Sequence, residues 1–168
     1  MSYHEKRSIV SILIGIIIMV VYCVYCFDKY RSGAIALEDL GAWAGVILVF
    51  VIIGVVANIV TQIIFHILLS IAMAAKEQIA TGKADDKKIE KAIASEMVED
   101  EMDKLIELKA MRVGYAVAGA GFMTALITQV VGLPPAVLIH VIFISFFMAS
   151  LLEGLTQIFF YRKGVTNG

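Results

Sequence analysis

Charged residues are scarce in this sequence. They make up 17% of its 168 residues, whereas about a quarter of the residues of a typical soluble domain are charged. The sequence also lacks a phosphate-binding loop, a nucleophile elbow, an H-E-x-x-H zinc motif and an EF-hand calcium loop, so no common catalytic or metal-binding motif predicts a function. Its net charge of −1 argues against nucleic acid as a partner, because nucleic-acid-binding domains carry a basic surface.

Cysteine is nearly absent. The two cysteines, Cys23 and Cys26, form a C-x-x-C within one apolar run. In a thioredoxin-like βαβ unit this spacing would indicate redox chemistry, but the surrounding sequence does not predict such a unit. We interpret both cysteines as apolar residues of a helix, and a redox role stays the alternative.

Long apolar runs dominate the sequence, and apolar residues make up 60% of it. Four runs reach about 20 residues or more, the length that an α-helix needs to cross a hydrocarbon core. The predicted fold is therefore all-α, a polytopic membrane protein with one transmembrane domain over residues 1–168. The four spans are predicted at residues 8–27, 41–75, 113–131 and 136–161, with a polar segment at 76–112.

The second apolar run is longer than a membrane requires. Residues 41–75 contain no charged side chain and would form a helix about 50 Å long. Such a helix must tilt, kink or project from the bilayer. It also carries four polar residues at intervals of four, which places them on nearly one face. These are Asn58, Gln62, His66 and Ser70.

The polar segment predicts an amphipathic helix, because apolar residues recur every three or four positions from Ile89 to Ile106. No helix stop signal precedes Arg112. We therefore expect one nearly continuous helix from about Lys87 to Val131, which extends the third span into the cytoplasm.

Basic residues predict the orientation. Two lie near the start of the chain, eight between Lys76 and Arg112 and two near the end, which makes twelve of the fourteen. By the positive-inside rule, both termini and the polar segment are expected in the cytoplasm. Aromatic side chains favour the depth of the membrane interfaces. We expect them at the outer interface as Tyr22, Tyr25, Tyr30 and Trp43, and at the inner interface as Tyr3, Tyr115 and Tyr161.

Glu153 is the acidic residue that lies inside a predicted span. An ionisable group there costs roughly 2.5 kcal/mol or more unless it is paired, neutral or hydrated. Counting from the cytoplasmic ends of the second and fourth spans puts His66 and Glu153 at a similar depth, about 14 Å inside. We expect a polar intramembrane cluster of Glu153, His66, Gln62, Gln157 and Asn58. It could share a proton, or its hydrogen bonds could serve only to fix the register of the helices.

A charged face is predicted on the cytoplasmic helix. Its members are Glu96, Asp100, Asp103, Glu107, Lys109 and Arg112. The carboxylates could collect a divalent cation, but interleaved basic residues make a solvated face with i,i+4 ion pairs the simpler interpretation. The metal is unknown, and no cofactor is expected. A haem-bearing bundle needs paired histidines at one depth, whereas His66 and His140 lie toward opposite ends of their spans.

Small residues recur on one face of the third span: Gly114, Ala118, Gly121 and Ala125. Small side chains let membrane helices approach closely. The face is expected to serve packing, either within one chain or between two.

The stretch D-E-M-D-K-L-I-E-L-K-A-M-R at residues 100–112 resembles the D-E-R-D-x-x-I-x-x-K-A-x-R element of small, uncharacterised bacterial membrane proteins with four predicted spans. In those proteins the element leads into the third span. The chain departs from the pattern at Met102, where arginine is common. The resemblance implies the four-span layout and a multi-pass protein of the bacterial inner membrane, and it implies no activity.

Three functional interpretations follow. The first is an accessory, regulatory or scaffold membrane protein, homodimeric or docking a protein partner through segment 76–112. The alternative is a small transporter or proton or ion pathway that uses the polar intramembrane cluster. The third is an intramembrane enzyme or metalloprotein, although no catalytic residue is recognisable.

Overall fold

The computed structural model describes residues 3–81 and 101–164. Four α-helices lie within them: α1 Tyr3–Arg31, α2 Leu40–Thr81, α3 Glu101–Val130 and α4 Pro135–Lys163. All four are long and apolar enough to cross a membrane. The predicted all-α, four-span architecture is confirmed at this level.

The connections between helices follow from local sequence. Gly33 and Gly132 follow α1 and α3 and adopt positive φ angles of 68° and 77°. At both places, backbone amides beyond the helix donate hydrogen bonds to carbonyl groups of its last turn. Glycine adopts this conformation without a steric penalty, and it ends α1 and α3 in the same way. Asp39 caps the start of α2, because its side chain accepts a hydrogen bond from the Ala42 amide at 2.9 Å. Pro135 opens α4, because a proline in the first turn of a helix removes no helical hydrogen bond.

Helix α4 is the centre of the structure, because it contacts each of the other three helices. Helix α3 packs mainly against α4, and α1 packs against α4 and α2. Glu5 near the start of α1 forms an ion pair with Arg162 near the end of α4 at 3.1 Å, so these helices are antiparallel. We call the end of the bundle that holds Tyr3 and Lys163 the terminal end, and the end that holds residues 32–39 and 131–134 the turn end.

Small residues make the close contact between α3 and α4. Ala110, Gly114 and Ala125 of α3 are buried, and so is Ala149 of α4. Gly121 faces Ser145 so closely that an added methyl group would overlap the Ser145 side chain. The predicted small-residue face therefore packs within the chain.

Helix α2 leaves the bundle as it approaches the terminal end. It packs on α1 near Phe50, but none of its described side chains beyond Phe50 is buried. The helix has 42 residues, which corresponds to a length of about 63 Å. The excess length of the second apolar run therefore appears as a continuous helix.

Helix α3 is continuous through Lys109 and Arg112 into the third apolar run, as expected. Residues 87–100 of the predicted helix lie outside the described residues. Tyr22 and Trp43 are each only 1% exposed and pack inside the bundle, whereas Tyr25 and Tyr30 are exposed. Their depth in a membrane stays a prediction.

The contact between α3 and α4 predicts that Gly121→Ala lowers stability. The new methyl group would meet Ser145, so the helices must separate, at a cost of about 1–3 kcal/mol. Gly119→Ala is the matched control, because nothing lies within 4 Å of its added methyl group. Thermal unfolding in detergent should show a lower midpoint for Gly121→Ala alone. Equal midpoints for the two variants would contradict the close packing.

Candidate functional site

A polar cavity of about 390 Å³ lies among the four helices, toward the terminal end. Helix α1 contributes one wall with residues between Arg7 and Ile18, and α4 contributes another with residues between Phe147 and Tyr161. Gly54, Asn58 and Thr61 of α2 and Asp103 and Glu107 of α3 complete the lining. The cavity lies where α2 leaves the bundle, since none of its described side chains beyond Phe50 is buried.

Glu153 lies on the α4 wall of this cavity and is partly exposed to it. It is nine residues before Arg162, or about 14 Å along the helix from that charged end. Gly114 of α3 makes room for the carboxyl group, since a methyl group at Gly114 would lie 3.0 Å from Glu153 Oε2. The small residues of α3 thus serve the site as well as the helix packing.

Uncharged polar side chains surround Glu153. Ser8 donates a hydrogen bond to Gln157 Oε1 at 3.0 Å, which fixes the orientation of that amide and joins α1 to α4. Thr61 donates to its own helix, to the Ala57 carbonyl at 2.6 Å. Asn58, Ser11 and Ser150 also line the cavity.

The cavity reaches the surface of the bundle at the terminal end. Arg7, Asp103, Glu107 and Tyr161 line it there, and the side chain of Glu107 is exposed. Tyr161 donates a hydrogen bond to Asp103 at 2.9 Å, which joins α4 to α3 across the rim. Together with Glu153, the cavity has three acidic residues and one basic residue in its lining, so its electrostatic potential favours cations.

An aromatic cluster closes the other end of the cavity. Phe147 lines the cavity, and Phe143 lies beyond it with its ring centroid 6.5 Å away. Tyr22 packs on Phe143 at 4.5 Å and forms a hydrogen bond with His140 Nδ1. Trp43 stacks edge-on against His140 at 4.8 Å and donates to the Ala36 carbonyl at 2.9 Å. Buried Tyr and Trp side chains satisfy their polar atoms in this way.

The structure brings together three of the five residues predicted as an intramembrane cluster. Glu153, Gln157 and Asn58 line the cavity, whereas Gln62 and His66 do not. Phe50 of α2 contacts Tyr22 of α1, with ring centroids 5.1 Å apart. His66 is a further 16 residues, or about 24 Å, along α2. This distance brings it to the level of the first turns of α1, below Glu153.

The reason for this offset is the length of the second apolar run. The depth of His66 was counted from Lys76, where that run ends, but α2 continues beyond the level at which α1 begins. Asn58 and Thr61, eight and eleven residues beyond Phe50, are the polar residues of α2 that line the cavity. Both Gln62 and His66 are exposed on the outside of α2.

The predicted charged face divides into two parts. Asp103 and Glu107 line the cavity, whereas Lys109 lies 6.0 Å from the ring centroid of Phe160 and Arg112 is exposed. Glu96 and Asp100 lie outside the described residues. Among the residues that the structure describes, no three His, Cys, Asp or Glu side chains come together as a metal site. Cys23 and Cys26 are free thiols.

The serines of the cavity were not predicted as site residues. Ser8 and Ser11 are three residues apart on α1, so they share a face, and Gly15 continues that face one turn later. Serines at this spacing in an otherwise apolar run were the sequence feature that could have identified this face of α1 as part of a polar site. On α4, Ser150 precedes Glu153 by three residues and gives the same signal.

The four membrane-length helices and the polar cavity between them define a multi-pass helical membrane protein. The chain matches no protein-family model, no curated protein and no solved structure. The resemblance to small bacterial four-span proteins stays a prediction.

Proposed function

We propose that this chain is a small membrane transport protein that passes protons or small cations through the cavity around Glu153. The observation that carries the proposal is the cavity itself, which places a carboxyl group inside a membrane-length helix and surrounds it with polar side chains from all four helices. Ionisable residues inside membrane spans typically line ion or substrate pathways.

The chemistry of the cavity lining favours a cation as the transported ion. A carboxylate inside a span needs water, a cation or hydrogen-bond donors to be stable. Asn58 and Gln157 carry amides beside Glu153, and Asp103 and Glu107 add acidic groups at the rim. His66 does not line the cavity, so it cannot share a proton with Glu153. In this proposal, water in the cavity takes that role.

The proposed orientation places the terminal end in the cytoplasm of a bacterial inner membrane, because twelve of the fourteen basic residues belong to that side. The cavity then opens to the cytoplasm. The aromatic cluster of Tyr22, Trp43, His140 and Phe143 closes the pathway on the outer side. Transport requires these side chains to move apart, as in alternating access.

Flux measurements test this proposal with the variant Glu153→Gln. Purified protein in liposomes should carry protons or monovalent cations down an imposed gradient, and Glu153→Gln should reduce the rate at least tenfold because the amide cannot bind a proton or attract a cation. Glu101→Gln is the matched control. Glu101 is an exposed acid at the start of α3 and does not line the cavity.

Either of two results would contradict the proposal. One is flux indistinguishable from that of empty liposomes for protons, sodium and potassium under gradients of both directions. The other is equal flux for the wild type and Glu153→Gln, which would place any pathway outside the cavity.

A second candidate function, an accessory or scaffold protein that acts as a homo-oligomer, is favoured by helix α2. Beyond His66 the helix continues for 15 residues, or about 22 Å, past the level of the first turn of α1. Its apolar side chains there are exposed, with Ile67, Leu68 and Ile71 between 52% and 59%. None of the described side chains of α2 beyond Phe50 is buried within the chain, and we propose a second copy of α2 as the partner that covers this part of the helix.

Disulfide crosslinking in native membranes tests this second candidate. Single cysteines replace Ile64, Ile67, Leu68 and Ile71 in turn, in a background with Cys23→Ala and Cys26→Ala. A parallel or antiparallel pair of α2 helices should give dimers at one or two of these positions, since only one face meets the axis. Leu155→Cys is the control, as an exposed apolar position on α4. Absence of dimers at all four positions would contradict the pairing.

A further inference from the structure

The cavity is larger than a pathway for protons or metal ions requires. At about 390 Å³ it falls within the range of about 300–1,000 Å³ that is usual for small-molecule sites. A water molecule in the liquid occupies about 30 Å³, so the cavity volume corresponds to about a dozen waters, more than a single proton or bare metal ion needs. Its size fits an organic ligand.

The cavity wall on α4 changes in chemical character along the helix. Gln157 and Glu153 lie toward the terminal end, Ser150 and Leu151 follow, and Phe147 lies deepest. Residues three and four apart share a helix face, so these side chains form one continuous strip. Phe147 is six residues, or about 9 Å, along the helix from Glu153.

The wall on α1 has the same gradation. Ser8 and Ser11 lie near the terminal end, and Ile14 and Ile18 lie deeper. Gly15 lies between them, where an added methyl group would come within 3.3 Å of both Phe147 and Leu151. The deep part of the cavity therefore has a mainly apolar lining and narrows where α1 packs on Phe147 and Leu151.

We propose that the cavity binds an organic cation, an amine or quaternary ammonium that carries a short apolar group. This inference rests on the proposed function and names its substrate class. The ammonium lies against Glu153, with the amides of Asn58 and Gln157 beside it. The apolar group extends about 9 Å inward along the α4 wall to Phe147 and packs against its ring.

The charge of the lining agrees with this ligand. Glu153, Asp103 and Glu107 outnumber Arg7, and Arg7 lies at the rim rather than beside Glu153. An anion would meet the Glu153 carboxyl in the narrow part of the cavity. A neutral ligand would gain no charge attraction to that carboxylate, whereas an ammonium would.

Calorimetric binding in a non-ionic detergent tests the inference with benzyltrimethylammonium as the probe. The wild type should bind one molecule per chain, at least tenfold more tightly than benzyl alcohol or phenylmethanesulfonate, which are its neutral and anionic counterparts. Glu153→Gln should weaken binding at least tenfold, whereas Glu101→Gln should not change it. No measurable binding by the wild type, or equal binding of the three compounds, would overturn the inference.

A second variant keeps the test decisive if Glu153→Gln does not fold, as judged by size-exclusion elution and helical circular dichroism. Phe147→Leu should reduce the preference for benzyltrimethylammonium over tetramethylammonium at least threefold, because the ring contact is lost while the carboxyl remains. An unchanged preference would overturn the placement of the apolar group.

Phospholipid headgroups carry the same ammonium chemistry, so the source of the ligand is tested in the same assay. If a lipid occupies the cavity, added phosphatidylcholine will weaken probe binding more than phosphatidylglycerol does; if the ligand is soluble, the two lipids will act alike. Both results support the ammonium site and assign its source. Probe binding without any flux would retain this inference and reject transport, whereas Glu153-dependent flux without probe binding would reject this inference alone.

Discussion

The need to accommodate one carboxyl group inside a membrane-length helix determines much of this structure. Glu153 cannot face hydrocarbon without a large free-energy cost. Gly114 provides the space beside its carboxyl oxygens, and the polar side chains of α1 and α2 complete its surroundings. The same glycine lies in the row of small residues that brings α3 close to α4. Gly114 therefore serves both the packing of α3 on α4 and the polar site around Glu153.

The two ends of the bundle have different chemistry. At the turn end, aromatic side chains fill the space between α1, α2 and α4, and the polar atoms of Tyr22 and Trp43 are satisfied by hydrogen bonds within the protein. At the terminal end, α2 and α3 are separated, and the space between them is lined by charged and polar groups. In the proposed transport function, a bundle that is filled at one end and open at the other would be one state of alternating access.

Sequence reasoning predicted the features that depend on composition and local spacing. The four spans follow from the length of the apolar runs, and the small-residue face follows from its helical period. Glu153 was identified as a site residue because charge is rare inside a span. Each of these signals lies within one helix or one turn.

The contacts between helices were less predictable. His66 was placed beside Glu153 on the assumption that two spans ending in charged residues end at the same depth. Helix α2 does not follow that rule, because its apolar run is longer than a bilayer and its register is set by Phe50 on Tyr22. The burial of Tyr22 and Trp43 between helices was not predicted, since the sequence does not reveal which face of a helix meets its neighbours.

Access of water to the cavity tests the central claim most directly. Two variants are compared, each in a background with Cys23→Ala and Cys26→Ala. Ser11→Cys places one thiol in the cavity lining, and Leu13→Cys places one on the exposed outer face of α1, two residues away. A membrane-impermeant, charged thiol reagent applied in native membranes should modify Ser11→Cys at least tenfold faster, because the cavity is hydrated and the outer face meets lipid. Equal rates, or faster modification of Leu13→Cys, would contradict a water-filled site around Glu153.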